Sequence, residues 1–275
     1  MTLRRPRLVA TDLDGTLLHS DGTVTPRTRE VLRELDALGV PVVFTTGRPI
    51  RWMEGLWEAV GGHGLAICSN GAIVYDVERR AIDTAHTLPA DSMLEIARLL
   101  RRHLPGTSFA LEKTTGFGVE PEFVRRHDAT IHDLPIDTLE GLVDGSVVKL
   151  LAQHEGIAPE TYWRRVEELV GHLAQVTWSS TFAMVEMSPT GVTKASALAE
   201  LATRLEVEAA DVIAFGDMPN DLPLLEWAGT SYAMANAHPL VLELADHLAP
   251  SHDEDGVAQV LAAVFGLSGE PARSQ

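Results

Sequence analysis

Short, nearly continuous apolar runs alternate with helical patterns at both ends of the chain. The first run covers residues 7–12 and ends in acid, which is typical of a strand buried on both faces of a parallel sheet. Apolar residues then recur at helical spacing over about 26–38, before Gly39. The same pattern predicts helices at about 49–60, 193–205 and 221–228 and strands at 40–46, 65–69, 212–216 and 231–234. This alternation favours right-handed βαβ units in an open parallel sheet.

The pattern changes between about residues 85 and 186. It predicts helices near 90–103 and 159–172 and short strands at 107–112, 116–120, 146–152, 174–180 and 183–187. These strands are more polar on one face, as in an antiparallel sheet with one open side. We therefore predict an α/β fold, with a discontinuous core domain of residues 1–84 and 187–275 and a smaller α+β domain inserted at 85–186.

Composition narrows the class of protein. The chain has 275 residues, of which 45% are apolar, and its 22 Lys+Arg against 39 Asp+Glu give a net charge of −17. This acidity argues against a nucleic-acid partner, because such binding needs a basic face. Cys68 is the only cysteine and no run of about 18 apolar residues occurs, so we expect no intrachain disulfide, no membrane span and a cytoplasmic location.

Polar side chains follow four of the predicted core strands, where ligands bind in open α/β sheets. They are Asp12 and Asp14, then Thr45 to Arg48, then Ser69 to Gly71, and finally Gly216, Asp217, Asn220 and Asp221. Any one group alone would be read as a turn or a cap. Asp12 and Asp14 leave the same face of an extended chain, so they repel each other unless a cation lies between them or one is protonated. The set indicates a phosphate or metal site.

Lys194 stands out among the basic residues. The chain has 19 arginines and three lysines, and Lys194 lies near the start of its predicted helix on the apolar stripe that continues through Leu198 and Leu201. A lysine there suggests that a compact point charge is needed where a guanidinium would not fit. The alternative is a side chain that extends from the rim of the helix to solvent.

Four segments together resemble the motifs of the haloacid dehalogenase superfamily, in order. They are Asp12-Leu13-Asp14-Gly15-Thr16, Thr45-Thr46-Gly47-Arg48, Gly191-Val192-Thr193-Lys194 and Gly216-Asp217-Met218-Pro219-Asn220-Asp221. Residues 69–72, 233–237 and 253–257 extend the likeness, and the insertion resembles the type IIB cap of the Cof-type phosphatases. The resemblance implies a Rossmann-like parallel-sheet core with a mobile cap that selects the substrate.

The resemblance also implies an activity, a Mg²⁺-dependent phosphatase that acts on a small phosphorylated metabolite. Asp12 would be the nucleophile that forms an aspartyl-phosphate, and Asp14 would act as general acid and then as general base. Mg²⁺ would be held by the carboxylates of Asp12 and Asp217 and by the backbone carbonyl of Asp14. Lys194, supported by Asp221, would stabilise the phosphoryl oxygens.

Further donors to the phosphate would come from Thr46 and the backbone amide of Gly47. Arg48 and Asn70 are candidates for contacting substrate or phosphate, although Arg48 could instead form a salt bridge at the start of a helix. Asn220 either binds in the site or caps a helix. The acidic run Asp253-Glu254-Asp255 is interpreted as a solvated turn.

Two other functions remain open. A type IIB phosphomutase would need a bisphosphate activator, and a phosphoacceptor signalling module would use a similar set of acid, threonine and lysine. The module is disfavoured, because receiver domains are smaller, lack a cap and carry the acceptor on a later strand. We expect a small-molecule substrate and a monomer or homodimer, and the sequence does not identify the leaving group.

Overall fold

The computed structural model describes residues 5–57, 64–126 and 134–268. The chain divides into two compact units. The first comprises Met1–Asp83 and Lys194–Gln275, and the second comprises Thr84–Thr193. Within the described residues, no helix is both long enough and apolar enough to cross a membrane.

The first unit contains an eight-stranded sheet. Its strands are β1 (Leu8–Asp12), β2 (Val42–Thr45), β3 (Leu65–Cys68), β4 (Ile73–Asp76), β5 (Ala81–Ala85), β11 (Val212–Gly216), β12 (Thr230–Met234) and β13 (His247–Ala249). Their order is β13-β12-β11-β1-β2-β3-β4-β5. The six strands from β13 to β3 pair in parallel, and β4 is antiparallel to β3. All five residues of β1 are buried, because this strand lies inside the sheet.

Helices connect these strands. They are α1 (Pro26–Ala37), α2 (Glu54–Trp57), α6 (Lys194–Arg204), α7 (Leu222–Trp227), α8 (Pro239–Leu244) and α9 (Gly256–Phe265). The sequence fixes both ends of α1. The Thr25 hydroxyl accepts from the Thr28 amide at its start, and Gly39 follows its end with φ 69°.

The second unit is an antiparallel sheet with helices. Its strands are β6 (Ser108–Lys113), β7 (Gly116–Val119), β8 (Val147–Gln153), β9 (Gln175–Thr177) and β10 (Met184–Ser188), in the order β7-β6-β8-β10-β9. Its helices are α3 (Ala90–His103), α4 (Leu139–Leu142) and α5 (Pro159–Val170). Phe109, Leu111, Leu150 and Val185 point to one face and join a core with α3 and α5.

The predicted fold class is confirmed, because a parallel-sheet core and a separate antiparallel sheet are both present. The sequence pattern did not predict several elements. They are β4, β5, α4, α8, β13 and α9, all of which are short except α9. The helix predicted at 49–60 begins instead with a 3₁₀ turn at Ile50–Trp52 and continues as α2, and its last residues lie outside the described part of the chain.

Candidate active site

The candidate site lies where three parallel strands of the first unit end side by side. β1 is central, with β11 on one side and β2 on the other. Asp12 is the last residue of β1, Thr45 is the last of β2, and Gly216 is the last of β11. The chain order reverses at β1, so the connections leave its two sides in opposite directions and open a crevice at the carboxyl edge.

Lys194 links two of these strand ends. It is the first residue of α6, and its Nζ donates to Asp12 Oδ1 and to Asp221 Oδ1, each at 2.6 Å. The side chains of Lys194 and Asp221 are fully buried, and that of Asp12 is nearly so. Lys194 therefore lies on the buried face of its helix, as the sequence predicts. Its ammonium group contacts Asp12, the last residue of β1.

Asp221 is itself held in place by backbone amides. Its Oδ2 accepts from the amides of Asp217 at 3.1 Å and Met218 at 3.2 Å. The turn is close-packed, because a Cβ on Gly216 would lie 2.6 Å from the Cβ of Asp221. Since one oxygen accepts from Lys194 and the other from two amides, Asp221 orients the lysine.

The cluster carries more negative than positive charge. Asp12, Asp217 and Asp221 offer carboxylate oxygens within 4.8 Å of one another, and Lys194 donates to two of these three carboxylates. Burial raises the pKa of Asp12 well above its ordinary value, against the opposing effect of Lys194. Burial and the charge of Asp221 raise the pKa of Asp217 to about 7. Burial alone would lower the pKa of Lys194, but the charges of Asp12 and Asp221 outweigh it and raise that pKa.

Asp217 faces the turn that follows β1. Its Oδ1 accepts from the Thr16 hydroxyl at 3.1 Å. A Cβ at Gly15 would lie 2.3 Å from Asp217 Oδ2, and Gly15 has φ 75°, so only glycine fits beside this carboxylate. The Gly15 carbonyl in turn accepts from Asn236 Nδ2 at 2.8 Å.

Asp14 lies at the rim, with its side chain 56% exposed, and is not part of the buried acidic cluster. Both of its oxygens accept from Arg48, Oδ2 from Nε at 2.6 Å and Oδ1 from Nη2 at 2.5 Å. Arg48 thus contacts the acid two residues after Asp12. Arg48 therefore forms a salt bridge, which the sequence left as the alternative to a substrate contact, and its partner in the loop after β1 is a candidate catalytic group.

The loops after β2 and β3 are tied together by their backbones. The amide of Asn70 donates to the Thr46 carbonyl, and the amide of Ser69 donates to the Arg48 carbonyl, each at 3.0 Å. The Thr46 hydroxyl accepts from the Arg48 amide at 3.0 Å. Gly47 lies between these anchored residues and is half-buried. Both predicted phosphate donors, Thr46 and Gly47, therefore belong to a fixed loop beside Asp12.

The side chains of Asn70 and Asn220 form a hydrogen bond with each other. Asn220 Nδ2 donates to Asn70 Oδ1 at 3.0 Å, and both side chains are buried. Ser69 and Asn70 have φ 51° and 56°, and two successive non-glycine residues in this left-handed region are strained. Asn220 lies in the 3₁₀ turn Pro219–Asp221 that precedes α7. The structure brings all the sequence-predicted site residues to this edge of the sheet.

Sequence reasoning gave no role to Thr16 and Asn236. Both act on the turn after β1, Thr16 through Asp217 and Asn236 through the Gly15 carbonyl. Thr16 had a signal, because it belongs to the quoted Asp-Gly-Thr segment. Asn236 lies in residues 233–237, which only extend the likeness to the superfamily. Nothing in its local sequence indicates that it contacts a residue 221 positions away.

The inserted unit holds two sets of polar residues, one that ties its loops and strands together and one on the sheet face opposite its helices. Lys113 donates to the Leu142 carbonyl at 2.6 Å and to Asp144 at 2.7 Å, and Glu120 accepts from the amides of Phe109 and Leu139. Both therefore stabilise the fold of this unit. On the sheet face opposite the helices, buried Lys149 lies 3.1 Å from Glu186 and directly across from Glu112.

Comparisons with known proteins identify related chains. A family model described as haloacid dehalogenase-like hydrolase matches residues 9–261. The chain is 28% identical over 276 residues to the 5-amino-6-(5-phospho-D-ribitylamino)uracil phosphatase YitU of Bacillus subtilis, covering 96% of this chain and 99% of that protein. It is 30% identical over 255 residues to the phosphoglycolate phosphatase of Methanopyrus kandleri, covering 92% and 95%.

A solved structure agrees in fold. A sugar phosphatase described as subclass IIB of the superfamily superposes with a TM-score of 0.79 at 20% identity, covering 95% of this chain and 99% of that one. The likeness therefore extends over both units.

Proposed function

The chain is a phosphatase of the haloacid dehalogenase-like hydrolase family, and we propose that it hydrolyses a small phosphomonoester through an aspartyl-phosphate on Asp12. The observation that carries this proposal is the position of Lys194 between Asp12 and Asp221, at 2.6 Å from each. A cation held against a buried carboxylate leaves that carboxylate oriented for attack and supplies charge for the phosphoryl oxygens.

In the first step, a carboxylate oxygen of Asp12 attacks phosphorus and the bond to the leaving oxygen breaks. We propose that Oδ2 attacks while Oδ1 keeps its contact with Lys194. The electron pair of the broken bond stays on the leaving oxygen, which takes a proton from Asp14. Thr46 and the Gly47 amide donate to the phosphoryl oxygens from the fixed loop after β2.

In the second step, water attacks the phosphorus of the aspartyl-phosphate. Asp14, now ionised, accepts the proton of the water, and the bond between phosphorus and Asp12 breaks. Inorganic phosphate leaves, and both acids return to their starting states. Asp14 suits this alternation, because its half-exposed position at the rim lets leaving group and water reach it.

The acidic cluster fits Mg²⁺. Three buried carboxylates against one lysine leave a formal excess of two negative charges, and a hard divalent cation with oxygen ligands balances it. Asp12 and Asp217, with the backbone carbonyl of Asp14, would hold the ion, since both oxygens of Asp221 are engaged by Lys194 and two amides. When bound, Mg²⁺ supplies positive charge that offsets the charge developing on the phosphoryl group.

The inserted unit, predicted as residues 85–186, is proposed to select the leaving group. The buried polar row of Glu112, Lys149 and Glu186 supports hydrogen-bonding partners such as hydroxyl or amide groups. The substrates named for relatives, phosphoglycolate and a ribitylamino-uracil phosphate, define a starting panel together with sugar phosphates, nucleotides, pyridoxal phosphate and flavin mononucleotide.

Phosphate release from an aryl phosphate tests the function. Wild type should turn over the ester only with Mg²⁺, and Asp12→Asn should lose at least about 1,000-fold, because an amide is a poor nucleophile. Asp91→Asn is the matched control, since Asp91 is exposed in the first turn of α3. Equal turnover by wild type and Asp12→Asn would contradict the proposal.

A further inference from the structure

Among the described residues, the side chain of Arg48 holds the Asp14 carboxylate. Nε and Nη2 of Arg48 each donate to a different oxygen of Asp14, at 2.6 and 2.5 Å. This parallel two-point contact fixes the plane of the carboxylate as well as its position. The partners are 34 residues apart in sequence and belong to the loops after two neighbouring strands, β1 and β2.

Arg48 is anchored more firmly than Asp14. Its backbone amide donates to the Thr46 hydroxyl, and its carbonyl accepts from the Ser69 amide, each at 3.0 Å. Its side chain is 23% exposed, whereas that of Asp14 is 56% exposed. An exposed carboxylate ordinarily samples several rotamers, so the restriction on Asp14 comes from the anchored arginine.

We propose that Arg48 is a positioning residue, which holds the Asp14 carboxyl group where it exchanges protons with the leaving oxygen and with water. This inference rests on the proposed function. Each carboxylate oxygen has a second lone pair beyond the one facing Arg48, so the contact leaves room for the proton. A precise orientation matters, because proton transfer requires a donor and acceptor within hydrogen-bonding reach.

A series of esters separates this role from phosphate binding. Phenyl, 4-nitrophenyl and 2,4-dinitrophenyl phosphate carry leaving groups of increasing acidity. The most acidic phenol leaves readily as the phenolate, so its departure depends least on a proton from Asp14. kcat/KM reports the steps up to release of the leaving group, so it isolates the first proton transfer. The variants are Arg48→Met, Arg48→Lys and Asp14→Asn, with Arg204→Met as control, because Arg204 forms an exposed ion pair with Asp83 at 2.9 Å.

Arg48→Met should lower kcat/KM for phenyl phosphate by at least about 10-fold and for the dinitrophenyl ester by less than about 3-fold, because proton transfer is worth about 100- to 10,000-fold in rate. Asp14→Asn should show the same selectivity more strongly, Arg48→Lys should recover part of the loss, and Arg204→Met should leave the dependence unchanged. Inhibition by inorganic phosphate should be nearly unaffected in Arg48→Met.

Two results would overturn the proposal. An equal loss for all three esters, with weaker inhibition by inorganic phosphate, would make Arg48 a phosphate-binding residue. No loss for any ester would make the pair an ordinary ion pair. Failure of the proposed function itself is distinguishable, because wild type would then not exceed Asp12→Asn on any of the esters.

Discussion

Lys194 is the residue on which the electrostatics of the site depend. It places a positive charge beside three buried carboxylates, and it donates to two of them at 2.6 Å. Without it, Asp12 and Asp221 would face each other uncompensated in a buried environment. Removing one member of a buried ion pair costs more than the pair itself contributes, because the remaining charge stays desolvated.

Replacing Lys194 therefore has two expected effects. Lys194→Met should lower kcat by about 100- to 1,000-fold, the usual effect of losing one donor to a developing charge, and should lower the free energy of unfolding at pH 7 by about 3 kcal/mol. Lys194→Arg keeps the charge, but its planar fork does not match two oxygens that a single nitrogen now bridges, so activity should still fall. Turnover assays and urea unfolding measure both. Wild-type turnover in Lys194→Met would remove the lysine from the mechanism.

Among the elements, the turn after β3 is strained and held by the turn before α7. Asn70 has a left-handed backbone, and its side-chain oxygen accepts from Asn220. We propose that this contact orients the Asn70 carboxamide toward the phosphate, so that Asn220 would act on the phosphate through Asn70 and the backbone strain would serve that orientation.

A double-mutant cycle tests the coupling of these two turns. Asn70→Gly keeps the left-handed backbone without strain, and Asn220→Ala removes the donor. Each should weaken inhibition by inorganic phosphate several-fold, and the double variant should be no weaker than the poorer single variant. Inhibition constants measure the effect. If the two single-variant effects on the inhibition constant multiplied in the double variant, each side chain would instead contact the phosphate independently.

A second contact between elements ties the start of α9 to the start of α1. Asp255 Oδ1 accepts from the hydroxyls of Thr25 and Thr28 and lies 2.9 Å from His19 Nε2. Its side chain is only 17% exposed, so Asp255 does not fit the solvated turn that the sequence suggested for this acidic run. Asp253 fits that interpretation better, since its side chain is half-exposed.

The contacts of Asp255 predict a pH dependence of stability. Burial alone would raise the pKa of Asp255, but hydrogen bonds from Thr25, His19 and Thr28 outweigh it and lower that pKa. A lowered pKa in the folded state stabilises the protein above the unfolded value of about 4, and the contribution is lost as the pH falls through the folded value. Urea unfolding should therefore show a larger deficit for Asp255→Asn at pH 7 than near pH 3.5. An equal deficit at both pH values would contradict this.

For the whole molecule, charge is distributed unevenly. The chain carries a net −17, yet its proposed substrate is an anion. Lys194, Arg48 and the backbone amides of the loops concentrate positive charge at one sheet edge, where a bound cation would add to it. The local arrangement matters more than the total.

Mg²⁺ should therefore stabilise the folded chain. In 10 mM Mg²⁺ against chelator at matched ionic strength, Tm of wild type should rise by a few degrees, because a ligand that binds only the folded state shifts unfolding. Asp217→Asn should lose the shift, whatever its own Tm. Asp91→Asn should retain it. A shift that persists in Asp217→Asn would place the cation elsewhere.

The sequence alone predicts the architecture of this protein and the place of its candidate site. Nearly continuous apolar runs predicted the parallel strands, short runs with one polar face predicted the antiparallel insertion, and apolar residues at helical spacing predicted the helices, because these patterns reflect which faces of each element are buried. Acids, a threonine and amides at successive strand ends indicated the site, since parallel strands end at a common edge. The stripe through Leu198 placed Lys194 on the inner face of α6.

The tertiary structure decided the pairings. Arg48 could have contacted substrate or closed a salt bridge, and only the approach of the loops after β1 and β2 joins it to Asp14. The contact of Asn220 with Asn70 spans 150 residues, and that of Asn236 with the Gly15 carbonyl spans 221. The edge elements β5 and β13 were missed because most of their residues are exposed, so no buried face marks them. Local patterns record burial, whereas partners are chosen by sheet order and loop geometry, which exist only after folding.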